Sequence, residues 1–131
     1  MSKRYFTPDE ANSLLPYIRA DIDRLQRSKR EFVRTALKLR ELRIAQKEAG
    51  DEGAEDEIFR MEASMEFLQM EAKTLVDSIR LKGAELKDID KGLVDFPAII
   101  NGEEVWLCWR QGEERIAYFH GLEEGFRGRR P

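Results

Sequence analysis

GLVDFPAIINGEEVWLCWRQGEERIAYFH, residues 92–120, decides the fold. Its centre is Asn101-Gly102, the dipeptide that best tolerates the two positive φ angles of a type I′ hairpin turn. On one side runs Leu93 to Ile100, on the other Glu104 to Arg110, both rich in branched and aromatic side chains suited to strands. Gln111-Gly112-Glu113-Glu114 turns the chain again, and Arg115 to His120 reads as a third strand. Pro97 places its strand at an edge, or directs its missing N–H away from the pairing. The residues preceding Gly92, Leu86 to Ile89, suit a short strand or a last helical turn.

The turn fixes a register. Ile100 faces Glu103, so Ala98 faces Val105 and Phe96 faces Leu107. One side of the sheet then carries Val94, Phe96, Ala98, Val105, Leu107, Trp109, Ile116 and Tyr118, with His120 at its end. The other carries Leu93, Asp95, Trp106, Cys108, Arg110, Ala117 and Phe119. Both sides are largely apolar, whereas a sheet wet on one face alternates apolar and polar. Both faces are therefore expected to be covered, one by helices and the other by a partner, the tail or a ligand.

Upstream the pattern changes period. Thr7-Pro8-Asp9-Glu10 is a helix start: Thr7 caps, Pro8 suits the first helical position and Glu10 completes a capping box. Phe6 stands where a hydrophobic staple would. Pro16, which lacks an N–H, predicts a kink or the end of a short first helix. Ile18, Ile22, Leu25, Phe32, Ala36 and Leu39 then recur at helical spacing, with Lys29 in one seam position, and Leu15, Val33, Leu37 and Ile44 form a second stripe. The turn is predicted at 50–53, Gly-Asp-Glu-Gly. Ile58, Met61, Met65, Leu68, Ala72, Leu75, Ile79 and Leu86 mark a second helix, with Lys82 breaking the repeat and Gly83 ending it.

A short loop between two long amphipathic helices predicts an antiparallel hairpin. Charge agrees, since Arg19, Arg24, Arg43 and Lys47 lie on the first helix and Glu55, Asp56, Glu57, Glu62, Glu66 and Glu71 on the second. The expected class is α+β: a long, coiled-coil-like antiparallel helical hairpin followed by a small three-stranded antiparallel sheet. The expected layout is one domain over 1–131, with the hairpin at 7–85 (kinked near Pro16), the sheet at 86–121 and a basic, flexible tail at 122–131.

Phe59, Ala63, Phe67 and Met70 are not explained by the hairpin. They lie at helical spacing roughly opposite the seam, and aromatics in a row are uncommon on a monomer surface. Either the C-terminal sheet or a second subunit is expected to cover them, and they are read as an oligomer interface, with a homodimer favoured and an unidentified protein partner also open.

Candidate ligand-binding residues are Asp95, Trp109, Arg110, Glu113 and His120. Asp95 lies opposite Cys108 and diagonal to Arg110, a carboxylate beside a guanidinium among aromatic rings. The competing reading is a structural ion pair that fixes register. Arg110 and Glu113 flank the 110–113 turn, where Arg110 would hold an anionic group and His120 or Glu113 would move a proton. A hydrogen-bonded structural histidine is the plainer reading of His120. His120 with Glu113 or Glu123 is the candidate acid–base pair or metal site, but one histidine and scattered carboxylates lack the paired His/Cys spacing of zinc sites, so no metal and no cofactor are expected. Cys108 reads as a small buried hydrophobe.

Composition narrows the classes. Charged residues make up 37% of the 131, more than a compact globule usually carries, yet the net charge is only −3. Arg27, Arg30, Arg34 and Lys38 are interleaved with Asp23, Glu31 and Glu41, which points to salt bridging along the helix. Nucleic acid is therefore not the expected partner, and RNA or ribosome association through this helix and the tail is the weakest option. No apolar run reaches the roughly 20 residues of a membrane span, and the N-terminus has no secretory pattern, so a cytoplasmic protein is expected.

Four segments together act as a tag: YFTPDEAN at 5–12, GLVDFPA at 92–98, WLCWRQGEERIAYFHGLEEGF at 106–126 and GRRP at 128–131. In these the chain resembles an uncharacterised bacterial family of unknown function, DUF2203. The resemblance implies a small bacterial cytoplasmic protein with a helical hairpin and a C-terminal sheet, and it carries over no activity, cofactor or catalytic residue. The leading expectation is a non-enzymatic oligomeric interaction or scaffold protein. The alternative is a small-molecule-binding protein or enzyme with its site near the Arg110–Glu113 turn.

Overall fold

The computed structural model describes residues 4–50 and 52–131, with Glu52 described by its backbone alone. Asp51, within the expected 50–53 turn, and the first three residues lie outside the described set. The order is helix α1 (Pro8–Ala49), a 3₁₀ turn (Glu52–Ala54), helix α2 (Glu55–Leu81), strands β1 (Glu85–Asp88), β2 (Leu93–Ile100), β3 (Glu103–Arg110) and β4 (Tyr118–Gly121), and a last 3₁₀ turn (Phe126–Gly128). Two long helices and an antiparallel sheet make an α+β protein. Among the described residues, no helix is long and apolar enough to cross a membrane.

The start of α1 follows its sequence. Thr7 Oγ1 accepts from Glu10 N at 3.1 Å, and Glu10 Oε1 accepts from Thr7 N at 3.0 Å. This reciprocal pair satisfies donors that a helix N-terminus otherwise leaves bare. The helix runs unbroken through Pro16, so no short first helix ends there. Gly50 closes it in the left-handed conformation.

The hairpin seam is apolar near the sheet and polar at intervals. Ile18, Ile22, Leu25 and Ile79 are fully buried. Asp21 Oδ2 accepts from Ser78 Oγ at 3.0 Å and from Lys82 Nζ at 3.1 Å. One stretch further out, Ser28 donates to Glu71 at 3.1 Å. Ser28, not Lys29, faces inward, because an ideal helix drifts by about 20° per heptad against a strict seam. Lys29 instead turns to Asp90 at 2.8 Å. Beyond this point the two helices have little to bury: Leu39 is the one fully buried side chain of α1 past Ser28, and α2 has none before Leu75.

The sheet has four strands in sequence order, not three. The added edge strand, β1, occupies the stretch that also suited a last helical turn. The β2–β3 register agrees with the hairpin reading, with Ile100 opposite Glu103, Ala98 opposite Val105 and Phe96 opposite Leu107. Asn101 at φ 52° and Gly102 at φ 80° supply the left-handed turn. Pro97 lies in an inner strand, at a level that β1 does not reach, since β1 pairs only with residues 93–95. Its carbonyl accepts from Phe6 N at 2.8 Å, so its missing N–H costs no ladder bond to β3.

One face of the sheet, with Val94, Phe96, Ala98, Val105, Leu107 and Trp109, packs on Leu15, Ile18, Ile22 and Ile79 as the core. Phe6 meets Phe96 edge to face, with ring centroids 5.4 Å apart. The Phe6 ring also passes 2.8 Å from where a Cβ on Gly83 would stand. The opposite face is covered only in part by the chain's own C-terminal segment: Asp95 and Cys108 are buried, whereas Ile99 on the same face is 51% exposed. Arg130 pairs with Phe119 as an antiparallel bridge, N to O at 2.8 and 2.9 Å, so this tail is docked. The chain thus covers the inner face fully and the outer face around Asp95 and Cys108, leaving Ile99 exposed and Trp106 half-buried.

Candidate functional site

The third hairpin strand is where the structure departs most from the sequence reading. It begins at Tyr118, three residues later than expected. The reason is Asn12 of α1. Its side chain accepts from Ile116 N at 2.7 Å and donates to Ile116 O at 3.2 Å, taking the backbone groups a ladder would use. Strand pairing therefore starts beyond it, with Cys108 opposite Tyr118 and Trp106 opposite His120. The phase is reversed: Tyr118 and His120 share the face of Asp95, Trp106 and Cys108, and Phe119 packs toward the core.

Three polar side chains are thereby brought together in the interior. Asp95, Cys108 and His120 retain 3%, 2% and 3% of their surface. One ligating atom from each lies within 4.8 Å of the others. His120 Nε2 is 3.1 Å from Asp95 Oδ2, and Nδ1 is 2.9 Å from the carbonyl of Gly121. A carbonyl only accepts, so Nδ1 carries its hydrogen and the Nε2 lone pair is aimed at the carboxyl. A proton must then lie between the two groups. Burial raises the Asp95 pKa, an effect only partly offset by His120, by the Cys108 thiol and by Lys87, so the carboxyl is able to hold that proton. Burial, reinforced by Asp95, pushes the Cys108 thiol up to about 12. It is a protonated thiol at neutral pH, not a nucleophile.

The C-terminal segment closes this cluster. Arg129 stacks on Phe126 and Tyr118, 4.1 and 4.3 Å from their ring centroids, and reaches the Cys108 sulfur. Its charge is met by Glu113 at 2.8 Å. Glu124 accepts from Gly121 N at 2.8 Å and from Arg130 at 2.9 Å, which sets the turn after β4. A cavity of about 220 Å³ remains, lined by Asp95, Cys108 and His120 together with Trp106, Leu122 and Phe126.

Of the five candidate residues, Asp95 and His120 meet and the other three do not join them. Trp109 is in the core on the opposite face, its indole N–H donating to the Glu113 carbonyl at 3.0 Å. Arg110 does not pair with Asp95, and its guanidinium lies 5.4 Å from the centroid of Phe126. Glu113 accepts from Arg110 N at 2.7 Å and holds Arg129. Two participants escaped the sequence reading. Cys108 was already opposite Asp95 in the hairpin register, a signal that was available. Arg129 gave none of its own: the tail was one of three candidate covers of the sheet, and no local pattern singles out Arg129 within it.

Phe59, Phe67 and Met70 are 73%, 65% and 68% exposed, and Ala63 is exposed beside them. Neither the sheet nor the tail covers this stripe.

Fold and site together define a class: a helical hairpin joined to a four-stranded antiparallel meander, whose outer face encloses a buried Asp–Cys–His cluster. The chain belongs to the family described as Uncharacterized conserved protein (DUF2203), whose profile matches residues 4–131. No curated protein and no solved structure matches the chain.

Proposed function

We propose that this is a non-enzymatic interaction protein of the cytoplasm that acts as a homodimer, with the outer half of the hairpin as its self-association surface. The exposed Phe59–Ala63–Phe67–Met70 stripe carries this reading. It lies where the two helices alone bury almost nothing, and a second copy is the occupant that its own pattern fits.

The stripe is close to a palindrome. If α2 packs antiparallel on α2 of a second copy, about an axis between Ser64 and Met65, Phe59 falls over Met70 and Phe67 falls one residue from Ala63. Each large ring then meets a small or flexible side chain, as knobs meet holes. The same register sets Asp56 against Lys73 at the flank, twice across the twofold. The acidity of α2 is partly neutralised inside each copy, where Arg43 meets Glu62 at 2.9 Å and Arg24 meets Glu71 at 3.5 Å. The result is a four-helix arrangement that leaves the uncovered end of each sheet's outer face, at Ile99, as a contact surface for further proteins.

Light scattering on the full chain tests this. The expected mass is twice 15.3 kDa at micromolar concentration. The double variant Phe59→Glu, Phe67→Glu is expected to be a folded monomer, because both sites are already exposed and α2 loses no internal packing. A wild-type monomer, or a dimer indifferent to both substitutions, would overturn the reading.

A further inference from the structure

Sequence spacing does not mark Asp95, Cys108 and His120 as a set, and no metal is expected there. From the geometry of the cluster we infer that it is a mononuclear Zn²⁺ site, with Asp95, Cys108 and His120 as three protein ligands and a fourth position open to the adjoining cavity. The inference is independent of dimer formation.

Four observations support it. The three donor types are those zinc takes, carboxylate oxygen, thiolate sulfur and imidazole nitrogen, and their ligating atoms already lie within 4.8 Å of one another. At zinc-ligand distances of about 2.0–2.3 Å, small side-chain rotations bring all three onto one ion. The histidine is oriented as a ligand: Nδ1 donates to the Gly121 carbonyl at 2.9 Å, which fixes the tautomer and directs the Nε2 lone pair toward the shared centre. Nε2 meets Asp95 Oδ2 at 3.1 Å through a shared proton, and a bound cation takes that proton's place.

Charge also closes. Binding displaces the thiol proton and the proton shared by Asp95 and His120, and Zn²⁺ then balances one carboxylate and one thiolate. The nearby cations do not oppose it. Arg129 is neutralised by Glu113 at 2.8 Å and is placed to donate to the thiolate sulfur. Lys87 is paired with Glu85 at 3.0 Å. Finally, the cavity of about 220 Å³ beside the three ligands leaves room for a water or a small ligand in the fourth position. Three protein ligands plus an open site is the arrangement by which zinc polarises a bound molecule.

Cobalt(II) is the probe, because Cys108 is the only cysteine and a thiolate-to-cobalt charge-transfer band reports this site without any substitution. Titration of Co²⁺ into the metal-free full chain is expected to give that band at one equivalent, and Zn²⁺ is expected to abolish it whereas Mg²⁺ does not. Cys108→Ser should lose the band. Asp95→Asn and His120→Gln should weaken binding by at least about tenfold, the lower end of what even outer-shell changes cost. Far-UV circular dichroism checks that each variant is folded. Absence of a charge-transfer band in the wild-type chain overturns the assignment, whatever the variants do. So does a band that persists unweakened in folded Asp95→Asn and His120→Gln.

Discussion

Asp95 and His120 are the residues whose environment departs furthest from what their types prefer. A carboxyl and an imidazole at 3.1 Å in the interior satisfy each other, and removing one leaves the other buried without its partner. A double-mutant cycle with Asp95→Ala and His120→Ala, read from urea unfolding of the metal-free chain, should give a coupling of about 0.5–3 kcal/mol. Additive effects would mean that the contact contributes nothing beyond packing. Cys108 gives a pH prediction. The unfolded thiol ionises near 9.0, and the folded one only at about 12. Its contribution to stability is therefore whole below the unfolded value and is lost as pH rises through that window, where only the unfolded state releases the proton. Metal-free wild type should lose stability between these values more steeply than Cys108→Ala, measured as urea midpoints, and a thiol reagent at pH 8 should label Cys108 only after unfolding. The pairing of Asp95 with Cys108 was legible in the sequence, because Asn101-Gly102 fixes that register within a few residues. The place of His120 was not, since it depends on Asn12, 104 residues from Ile116, holding back the start of β4.

At the scale of elements, local signals carried most of the fold. The Thr7–Glu10 box, the Gly50 stop, the two helical repeats and the Asn101-Gly102 turn each depend on neighbours within a turn or two, so sequence alone sufficed. What failed were features set from a distance. The tail reads as basic and flexible until Arg130 finds Phe119 and Arg129 finds Glu113 and the rings of Tyr118 and Phe126. Of the two readings of Pro16, a kink or the end of a short helix, the second fails because the 42-residue helix continues through it. Gly83 shows how tightly the junction between α2 and the sheet is drawn. Its φ of 95° suits glycine, and an added Cβ would stand 2.8 Å from the buried Phe6 ring. Gly83→Ala should therefore destabilise by about 1–3 kcal/mol, through backbone strain and displacement of Phe6. Gly50→Ala meets no atoms within 4 Å and should cost less, for the left-handed backbone alone. Equal urea midpoints for the two variants would count against the role given to Phe6.

For the whole molecule, the division of labour follows from where apolar area is spent. The sheet end is buried on its inner face and partly covered by the C-terminal segment on its outer face, where it encloses the Asp95–Cys108–His120 cluster. The outer hairpin is a thin two-helix layer with an aromatic stripe left in water. The stripe was legible from spacing alone, since its period matches the helix and its phase opposes the seam. The partial cover of the outer sheet face by the tail, one of the three covers the sequence left open, weakens one of the two sequence-based reasons for expecting a partner. The proposed self-association therefore rests mainly on α2, and its register can be tested by cross-linking. Asp56→Cys and Lys73→Cys, each made in a Cys108→Ser background, are mixed and oxidised mildly. The account predicts a covalent dimer containing one chain of each kind, formed faster than either homodimer, because the antiparallel register sets residue 56 of one copy beside residue 73 of the other. Chains that stay monomeric, or that cross-link without preference between the two positions, would contradict it.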